Sequence, residues 1–330
     1  MKVAVIGAGS FGTALALILN RNGVPLCLWG HDPLQAEKIR TTRENAKYLP
    51  GFPIPPEIEV TSDLNQALSR SDIGLLVVPS HAFKQILSQM AQSAGASSLK
   101  GLISATKGIE RDTGRRMSEL MSATFPGLPV AALSGPTLAV ELAKGVPTAV
   151  VVASPDQAFA ELCQKLFACS RFRTYWSTDI VGVELGGALK NVIALASGIC
   201  DGLGFGDNSK AALMTRGLAE ICRLATACGA QRDTLTGLSG MGDLIVTCMS
   251  QKSRNRSLGE RIGKGETLEA ILKEMTMVAE GVKTSESASL LAVEKRIETP
   301  IILSVYNILY KGQNVVESMG ALLSRDMKNE

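Results

Sequence analysis

A glycine-rich turn near the start of the chain restricts its fold more than any other feature. Residues 3–6 form a short apolar run, typical of a strand that is buried on both faces. Gly7, Gly9 and Gly12 then complete the spacing G-x-G-x-x-G, and apolar residues at helical spacing follow. In this context Gly7 permits the tight turn, Gly9 lets the backbone approach a pyrophosphate, and Gly12 lets the helix pack on the strand. The segment predicts a dinucleotide-binding turn.

The rest of the first half alternates strand-like and helix-like segments. Further strands are predicted at residues 25–29, 73–80, 101–108, 129–136, 148–154 and 172–177. This alternation predicts an α/β domain with a doubly wound, mostly parallel sheet, Rossmann-like in architecture. After Asp179 the apolar residues recur at helical spacing, with glycine-rich breaks. We therefore expect a Rossmann-like domain at residues 1–179 and an all-helical domain at residues 180–330.

The residues after the second strand leave the choice between NAD and NADP open. A dinucleotide fold commonly places an acidic residue there, about 20 residues past the glycines, to bind the adenosine ribose hydroxyls. This chain has Gly30 and His31 at that point, and Asp32 follows one position late. Without a carboxylate at Gly30, a 2′-phosphate is not repelled.

Composition excludes several classes of function. The net charge of +3 is too small to indicate nucleic acid or a membrane surface as a partner. The first apolar run is too short for a signal sequence, so we expect a cytoplasmic protein with no integral membrane segment. The seven cysteines include no Cys-x-x-Cys pair, which favours reduced thiols. No grouping of His, Cys or carboxylates has metal-ligand spacing, and we expect no metal.

Lys190 stands in an unusual helical environment. The segment at residues 184–198 is mostly Gly, Ala, Leu, Ile and Val, and an unpaired buried ammonium is costly. None of its neighbours at helical spacing could pair with it, since these are Gly186, Gly187, Ile193 and Ala194. Two interpretations stay open: the side chain reaches solvent, or desolvation favours its neutral form and suits it to proton transfer.

The segment at residues 237–256 is the second candidate for chemistry. A glycine-rich loop leads into Asp243, and its backbone could approach a ligand. Ser253, Arg254 and Asn255 then offer hydroxyl, guanidinium and amide donors that suit one phosphate. A solvated helix start is the alternative interpretation of the same residues.

Six segments in order carry a resemblance to a known family. They are GAGSFGTALA, NAKYLPGFPIPPEI, ATKGIE, LSGPTLAVELAKGVPTAV, ELGGALKNVIALASGICDGL and LSGMGDLIVTCMSQKSRNRSLG. With these, the chain resembles the bacterial NAD(P)-dependent glycerol-3-phosphate dehydrogenase family from end to end. The resemblance implies interconversion of sn-glycerol 3-phosphate and dihydroxyacetone phosphate with NAD or NADP. It also implies a role in supplying glycerol 3-phosphate for phospholipid synthesis.

The resemblance also implies roles for individual residues. Lys190 matches the catalytic proton donor and acceptor. The other substrate contacts match Lys107, Gly135, Thr137, Asp243, Ser253, Arg254 and Asn255. Besides the three glycines of the turn, the cofactor contacts match Ser10, Phe11, His31, Tyr48, Lys107, Ala139, Arg254, Val278 and Glu280. Phe11 stands where many relatives carry Trp, which keeps an aromatic side chain there.

Two other functions fit part of the sequence. A hydroxyacid or 6-phosphogluconate-type dehydrogenase would share the glycine turn, the helical second domain and a helix lysine. A nucleotide sensor without activity would need the first domain only, which leaves Lys190 and the cluster at residues 253–255 without a purpose. If the chain has the function that the family resemblance implies, we expect a small phosphorylated triose as its substrate and a homodimer as its assembly.

Overall fold

The computed structural model describes residues 1–323, which fold into two compact units. The first unit comprises Met1–Lys107 and Arg115–Glu184, and the second comprises Gly108–Gly114 and the chain from Leu185 on.

The first unit is built on an eight-stranded sheet with the strand order β10-β9-β8-β7-β6-β1-β2-β5. Every neighbouring pair is parallel except β8 and β9, which confirms the mostly parallel sheet. A separate two-stranded ribbon pairs β3 with β4. The strands are β1 Val3–Ile6, β2 Leu26–Trp29, β3 Glu44–Asn45, β4 Leu49–Pro53, β5 Glu59–Thr61, β6 Ile73–Leu76, β7 Gly101–Ser104, β8 Val130–Ser134, β9 Thr148–Ala153 and β10 Phe172–Ser177.

Helices cover both faces of this sheet, as the doubly wound prediction requires. Alternate residues of β1 enter two different cores: Val3 and Val5 face one, and Ala4 and Ile6 face the other. The first core includes residues of α1 Ser10–Arg21, α2 Pro33–Thr42, α6 Ala139–Lys144 and α7 Gln157–Phe167. The second includes residues of α3 Leu64–Leu68, α4 Ser80–Gln92 and α5 Met117–Thr124, and a 3-10 turn at Ala94–Ser98 follows α4.

The second unit is helical, as predicted, and no strand occurs in it up to residue 323. A π-helical turn at Leu238–Gly242 leads into α11. The helices are α8 Ile180–Gly202, α9 Asp207–Ala227, α10 Arg232–Thr236, α11 Asp243–Met249, α12 Arg254–Gly263, α13 Leu268–Glu274, α14 Glu280–Lys295, α15 Pro300–Lys311 and α16 Val315–Leu323.

Helix α8 is long and apolar enough to cross a membrane, but 94% of its most apolar stretch is buried inside the protein. Glycines let α12 lie directly against it. A Cβ atom on Gly198 would lie 2.0 Å from the carbonyl oxygen of Arg256, and one on Gly259 would lie 2.1 Å from that of Leu195. The two backbones therefore touch, and side chains at these positions would force the helices apart.

Gly259→Ala tests this helix contact. Because the added methyl group would meet backbone rather than a movable side chain, we expect a loss of about 1–3 kcal/mol in the apparent free energy of unfolding. Urea titration followed by circular dichroism measures it. Gly320→Ala is the matched control, since a Cβ there meets nothing within 4 Å, and helix propensity alone favours alanine. Equal stability of the two variants would contradict the close contact.

Candidate functional site

The glycine turn between β1 and α1 is packed at two glycines and open at the third. Gly7 has φ +126°, and a Cβ on it would lie 2.4 Å from the carbonyl oxygen of Val77. A Cβ on Gly12 would lie 1.9 Å from the carbonyl oxygen of Gly7, whereas one on Gly9 would meet nothing within 4 Å. The protein's own packing thus requires Gly7 and Gly12. Gly9 faces space where a ligand could approach the backbone.

The same turn begins a helix that carries no side-chain cap. Gly9 is the N-cap of α1 and makes no side-chain hydrogen bond, so amides of the first helical turn are available to an anion. Asn45 of the ribbon holds the turn in place, because its Nδ2 donates to the carbonyl of Ala8 at 2.9 Å and to Oγ1 of Thr13 at 2.8 Å. The ribbon that carries Tyr48 is thereby attached to the glycine turn.

The residues after β2 are arranged differently from the usual ribose site. Asp32 caps α2, and its Oδ1 accepts hydrogen bonds from the backbone amides of Leu34 and Gln35 at 3.0 and 3.3 Å. His31 is exposed. The structure therefore explains Asp32 as a helix cap, with no carboxylate at Gly30.

Lys107 brings three of the predicted substrate residues together in the first unit. Its Nζ donates to the carbonyl of Gly135 at 2.9 Å and to Oγ1 of Thr137 at 3.0 Å. It also lies 5.8 Å from the ring centroid of Phe11. Ala139 begins α6 shortly after. Residues that follow two strands, β7 and β8, and the glycine turn thus form one cluster at the carboxyl ends of the strands, where ligands of such sheets bind.

In the second unit Lys190 is buried and paired. Only 6% of Lys190 and 1% of Asp243 is exposed, and Nζ lies 2.9 Å from Asp243 Oδ1. Nζ also donates to Oγ1 of Thr247 at 2.5 Å, and that hydroxyl donates to the carbonyl of Asp243 at 2.6 Å. The solvent-facing interpretation of Lys190 is therefore wrong, because a partner 53 residues away along the chain neutralises the ammonium.

The glycine loop before Asp243 is shaped by packing. A Cβ on Gly240 would lie 1.9 Å from the carbonyl oxygen of Leu235, and one on Gly186 of α8 would lie 2.9 Å from that of Ser239. Both glycines let the π-helical turn lie against its neighbours. The consequence is that α11 begins close enough to α8 for Asp243 to reach Lys190.

The predicted phosphate residues lie at the start of α12. Ser253 is its N-cap and accepts a hydrogen bond from the amide of Arg256 at 3.2 Å. The pKa of the Arg254 guanidinium is lowered, because desolvation outweighs the opposing effect of the Glu280 carboxylate. Part of the Arg254 side chain still reaches solvent. Asn255 is buried and engaged: its Nδ2 donates to Asn191 Oδ1 at 2.9 Å, and its Oδ1 accepts from a backbone amide at 2.9 Å.

Those contacts bring part of α14 to the same place. The amide bound by Asn255 belongs to Gly281, directly after Glu280, and Val278 precedes α14 by two residues. Sequence reasoning missed two residues of this site, Thr247 and Asn191. Thr247 lies four residues after Asp243 on one helix face, which is a detectable signal. Asn191 follows Lys190 directly, and apart from this position the sequence contains no signal that identifies it as a residue of the site.

Two protein-family models cover most of the chain. The model described as NAD-dependent glycerol-3-phosphate dehydrogenase N-terminus matches residues 2–160, and the C-terminus model of the same enzyme matches residues 179–320.

Individual relatives agree over the full length. The glycerol-3-phosphate dehydrogenase [NAD(P)+] of Thermoanaerobacter sp. (strain X514) is 49% identical, over 100% of this chain and 99% of the relative. That of Thioalkalivibrio sulfidiphilus is 46% identical, over 99% and 98%. The crystal structure of glycerol-3-phosphate dehydrogenase from Coxiella burnetii aligns with a TM-score of 0.94 and 36% identity, covering 98% of this chain and 99% of that one. The chain belongs to the NAD-dependent glycerol-3-phosphate dehydrogenase family.

Proposed function

We propose that the protein interconverts sn-glycerol 3-phosphate and dihydroxyacetone phosphate by hydride transfer with NAD or NADP. The observation that carries the proposal is the buried Lys190, held by Asp243 and Thr247 with its ammonium paired. Membership of the family supports the reaction, and the same chemistry supplies glycerol 3-phosphate for phospholipid synthesis. A dehydrogenase of sugar acids is disfavoured, because both family models and the full-length relatives belong to the triose phosphate enzyme.

The glycine turn supports a nicotinamide dinucleotide as the cofactor. Its packing leaves Gly9 open to a pyrophosphate while Gly7 and Gly12 serve the fold. A bound nicotinamide supplies the hydride or accepts it. The residues proposed to hold the cofactor are Gly7, Gly9, Ser10, Phe11, Gly12, His31, Tyr48, Lys107, Ala139, Arg254, Val278 and Glu280.

The proposal includes both NADH and NADPH as cofactors. Because the Asp32 carboxylate is engaged as a helix cap and Gly30 has no side chain, no acidic group at Gly30 repels a 2′-phosphate. The exposed His31 adds no negative charge. Initial rates with the two reduced cofactors measure the preference.

The proposed phosphate site combines charge with preorganised donors. Arg254 carries the positive charge, and Ser253 retains the hydrogen of its capping hydroxyl for donation. Asn255 has one N–H beyond the one it gives to Asn191, and its fixed amide cannot swing away. Lys107, Gly135 and Thr137 are proposed as the remaining substrate contacts. Binding energy from the phosphate then orients the reacting carbon.

Lys190 is proposed to move the proton. In ketone reduction its ammonium donates a proton to the oxygen that gains negative charge, and in alcohol oxidation the neutral amine removes it. Two of the three N–H bonds of Nζ donate to Asp243 and Thr247, which fixes the direction of the third. Asp243 therefore acts as a positioning residue as well as a counterion.

We further propose the assignment of residues 1–179 to cofactor binding and 180–330 to substrate binding and catalysis. The proposed assembly is a homodimer in the cytoplasm. Exposed apolar side chains on α14 and α15 support an interface, because Leu290, Val293 and Leu303 are 59%, 74% and 46% exposed. Sedimentation of the purified protein measures the assembly.

Lys190→Met tests the catalytic role directly. Methionine fills similar space without a proton to transfer, so we expect kcat to fall by about 10²–10⁴-fold. NADH binding, followed by fluorescence titration, should stay within about twofold because the cofactor residues are unchanged. Lys273→Met is the control, since that lysine is 74% exposed on α13. Wild-type turnover in Lys190→Met would reject the role.

Thr247→Val tests whether the hydroxyl orients Nζ. Valine keeps the shape and removes the oxygen that accepts from Lys190, so we expect kcat to fall by at least about tenfold with little change in KM for dihydroxyacetone phosphate. Thr247→Ser keeps the hydroxyl and should recover most of the rate. Equal rates in the two variants would show that the hydroxyl is dispensable.

Gly9→Ala separates ligand approach from folding. The methyl group meets no protein atom within 4 Å, so the melting temperature should stay at the wild-type value. It would occupy space proposed for the pyrophosphate, and we expect KM for NADH to rise by about tenfold or more. Gly12→Ala should instead lower the melting temperature, because its methyl group meets backbone. Unchanged KM in Gly9→Ala would contradict the proposed cofactor position.

A further inference from the structure

A cavity lies in the first unit, away from the glycine turn. Its volume is about 360 Å³, and its lining includes Arg21, the last residue of α1, and Lys144, the last residue of α6. The short segment before β10 contributes Cys169, Ser170 and Arg171. Since α1 begins at the glycine turn and rises 1.5 Å per residue, the cavity is about 18 Å from that turn along the helix axis.

Three cations and no carboxylate line this cavity. The cations are Arg21, Lys144 and Arg171, and none of them forms an ion pair with any residue in the described range 1–323. The two guanidinium groups converge on one position: a Cβ on Gly145 would lie 3.4 Å from Arg21 Nη1 and 3.6 Å from Arg171 Nη1. Like charges held this close repel each other unless an anion offsets them.

Hydrogen bonds hold the two arginines in place without using up their donors. Arg21 donates from Nη1 to the carbonyl of Leu142 at 3.2 Å and from Nη2 to that of Ala143. Arg171 Nη1 donates to the carbonyl of Gly145 at 3.4 Å. These carbonyls lie at the C-terminal end of α6, where partial negative charge accumulates. Each guanidinium has five N–H groups, so most remain for a ligand.

The rest of the lining includes apolar side chains together with the polar residues Asn22 and Ser170. Ile18, Leu142 and Phe172 are buried core residues that also line the cavity. A volume of about 360 Å³ lies within the range of small-molecule sites. Cations and apolar side chains in one lining together suit a small organic anion with a short hydrocarbon body, and guanidinium groups match phosphate geometry well.

We propose that this cavity is a binding site for a small organic phosphate, separate from the proposed substrate site. Arg21, Lys144 and Arg171 hold the phosphate group, and the hydrocarbon part lies on Ile18, Leu142 and Phe172. The proposal depends on this cluster alone and stands whatever substrate the protein turns over.

Phenyl phosphate is the probe for this site. Calorimetric titration into the full chain should show a saturable site that persists in Arg254→Ala, because that variant removes only the charge of the proposed substrate phosphate site. The double variant Lys144→Ala/Arg171→Ala should raise the Kd at least about tenfold, because it removes two of three charges. Both side chains are exposed and neither belongs to the catalytic machinery, so turnover should match that of the wild type.

Lys165→Ala is the matched control, since it removes an exposed cation of α7 that does not line the cavity. It should bind phenyl phosphate like the wild type. If the double variant does not fold, Lys144→Glu alone should abolish binding. Absence of saturable binding to the wild type, an unchanged Kd in a folded cavity variant, or an equal loss in Lys165→Ala would each overturn the proposal.

Discussion

The rest of the second unit depends on the buried ion pair of Lys190 and Asp243. Removing an ammonium and a carboxylate from water costs several kcal/mol per ion, and only close geometry with further hydrogen bonds offsets this. The helices meet that condition: α8 supplies the lysine, α11 the aspartate, and Thr247 one turn later a third polar partner. Glycines at positions 186 and 240 bring the backbones near enough for the pair to form. The small residues around Lys190 thus allow the close helix packing that the ion pair requires.

The first unit also contains a buried ionisable group, and there it joins two helices. Glu184 is buried, and desolvation raises the pKa of its carboxyl group, while Arg116 and hydrogen bonds from Ser118 oppose that rise. Arg116 Nη1 and the Ser118 amide both lie 2.8 Å from Glu184 oxygens. This carboxylate anchors the start of α8 to α5. A buried charge is therefore no evidence of catalysis by itself, and Lys190 is distinguished by the phosphate-binding candidates in its own unit.

Local patterns were sufficient to predict most of the fold. Seven of the eight sheet strands were predicted, because continuous apolar runs alternate with amphipathic helices, and the glycine turn joins β1 to α1 as expected. The eighth, the edge strand β5 Glu59–Thr61, was not predicted. The ribbon of β3 and β4 was not predicted, since a two-residue strand beside prolines carries no periodic signal. The helix-capping role of Asp32 was likewise hidden, because the same residue fits a ribose site or an N-cap.

The site was predictable in its residue types but not in its pairings. Lys107, Gly135 and Thr137 could be grouped because parallel strands end at one edge of the sheet. The partners of Lys190 and Asn255 lie 53 and 64 residues away along the chain, and no local rule connects them. The neighbours of Lys190 at helical spacing include no acidic residue, so its counterion had to come from another helix.

Chemical rescue tests the central claim, that the Lys190 ammonium transfers the proton, most directly. Lys190→Ala leaves a cavity that a small primary amine can enter, so ethylammonium should restore turnover of dihydroxyacetone phosphate in proportion to its concentration, up to saturation. Tetramethylammonium carries the same charge without a transferable proton and should restore nothing. Equal rescue by both cations, or none by ethylammonium in a folded variant that binds NADH, would contradict the account.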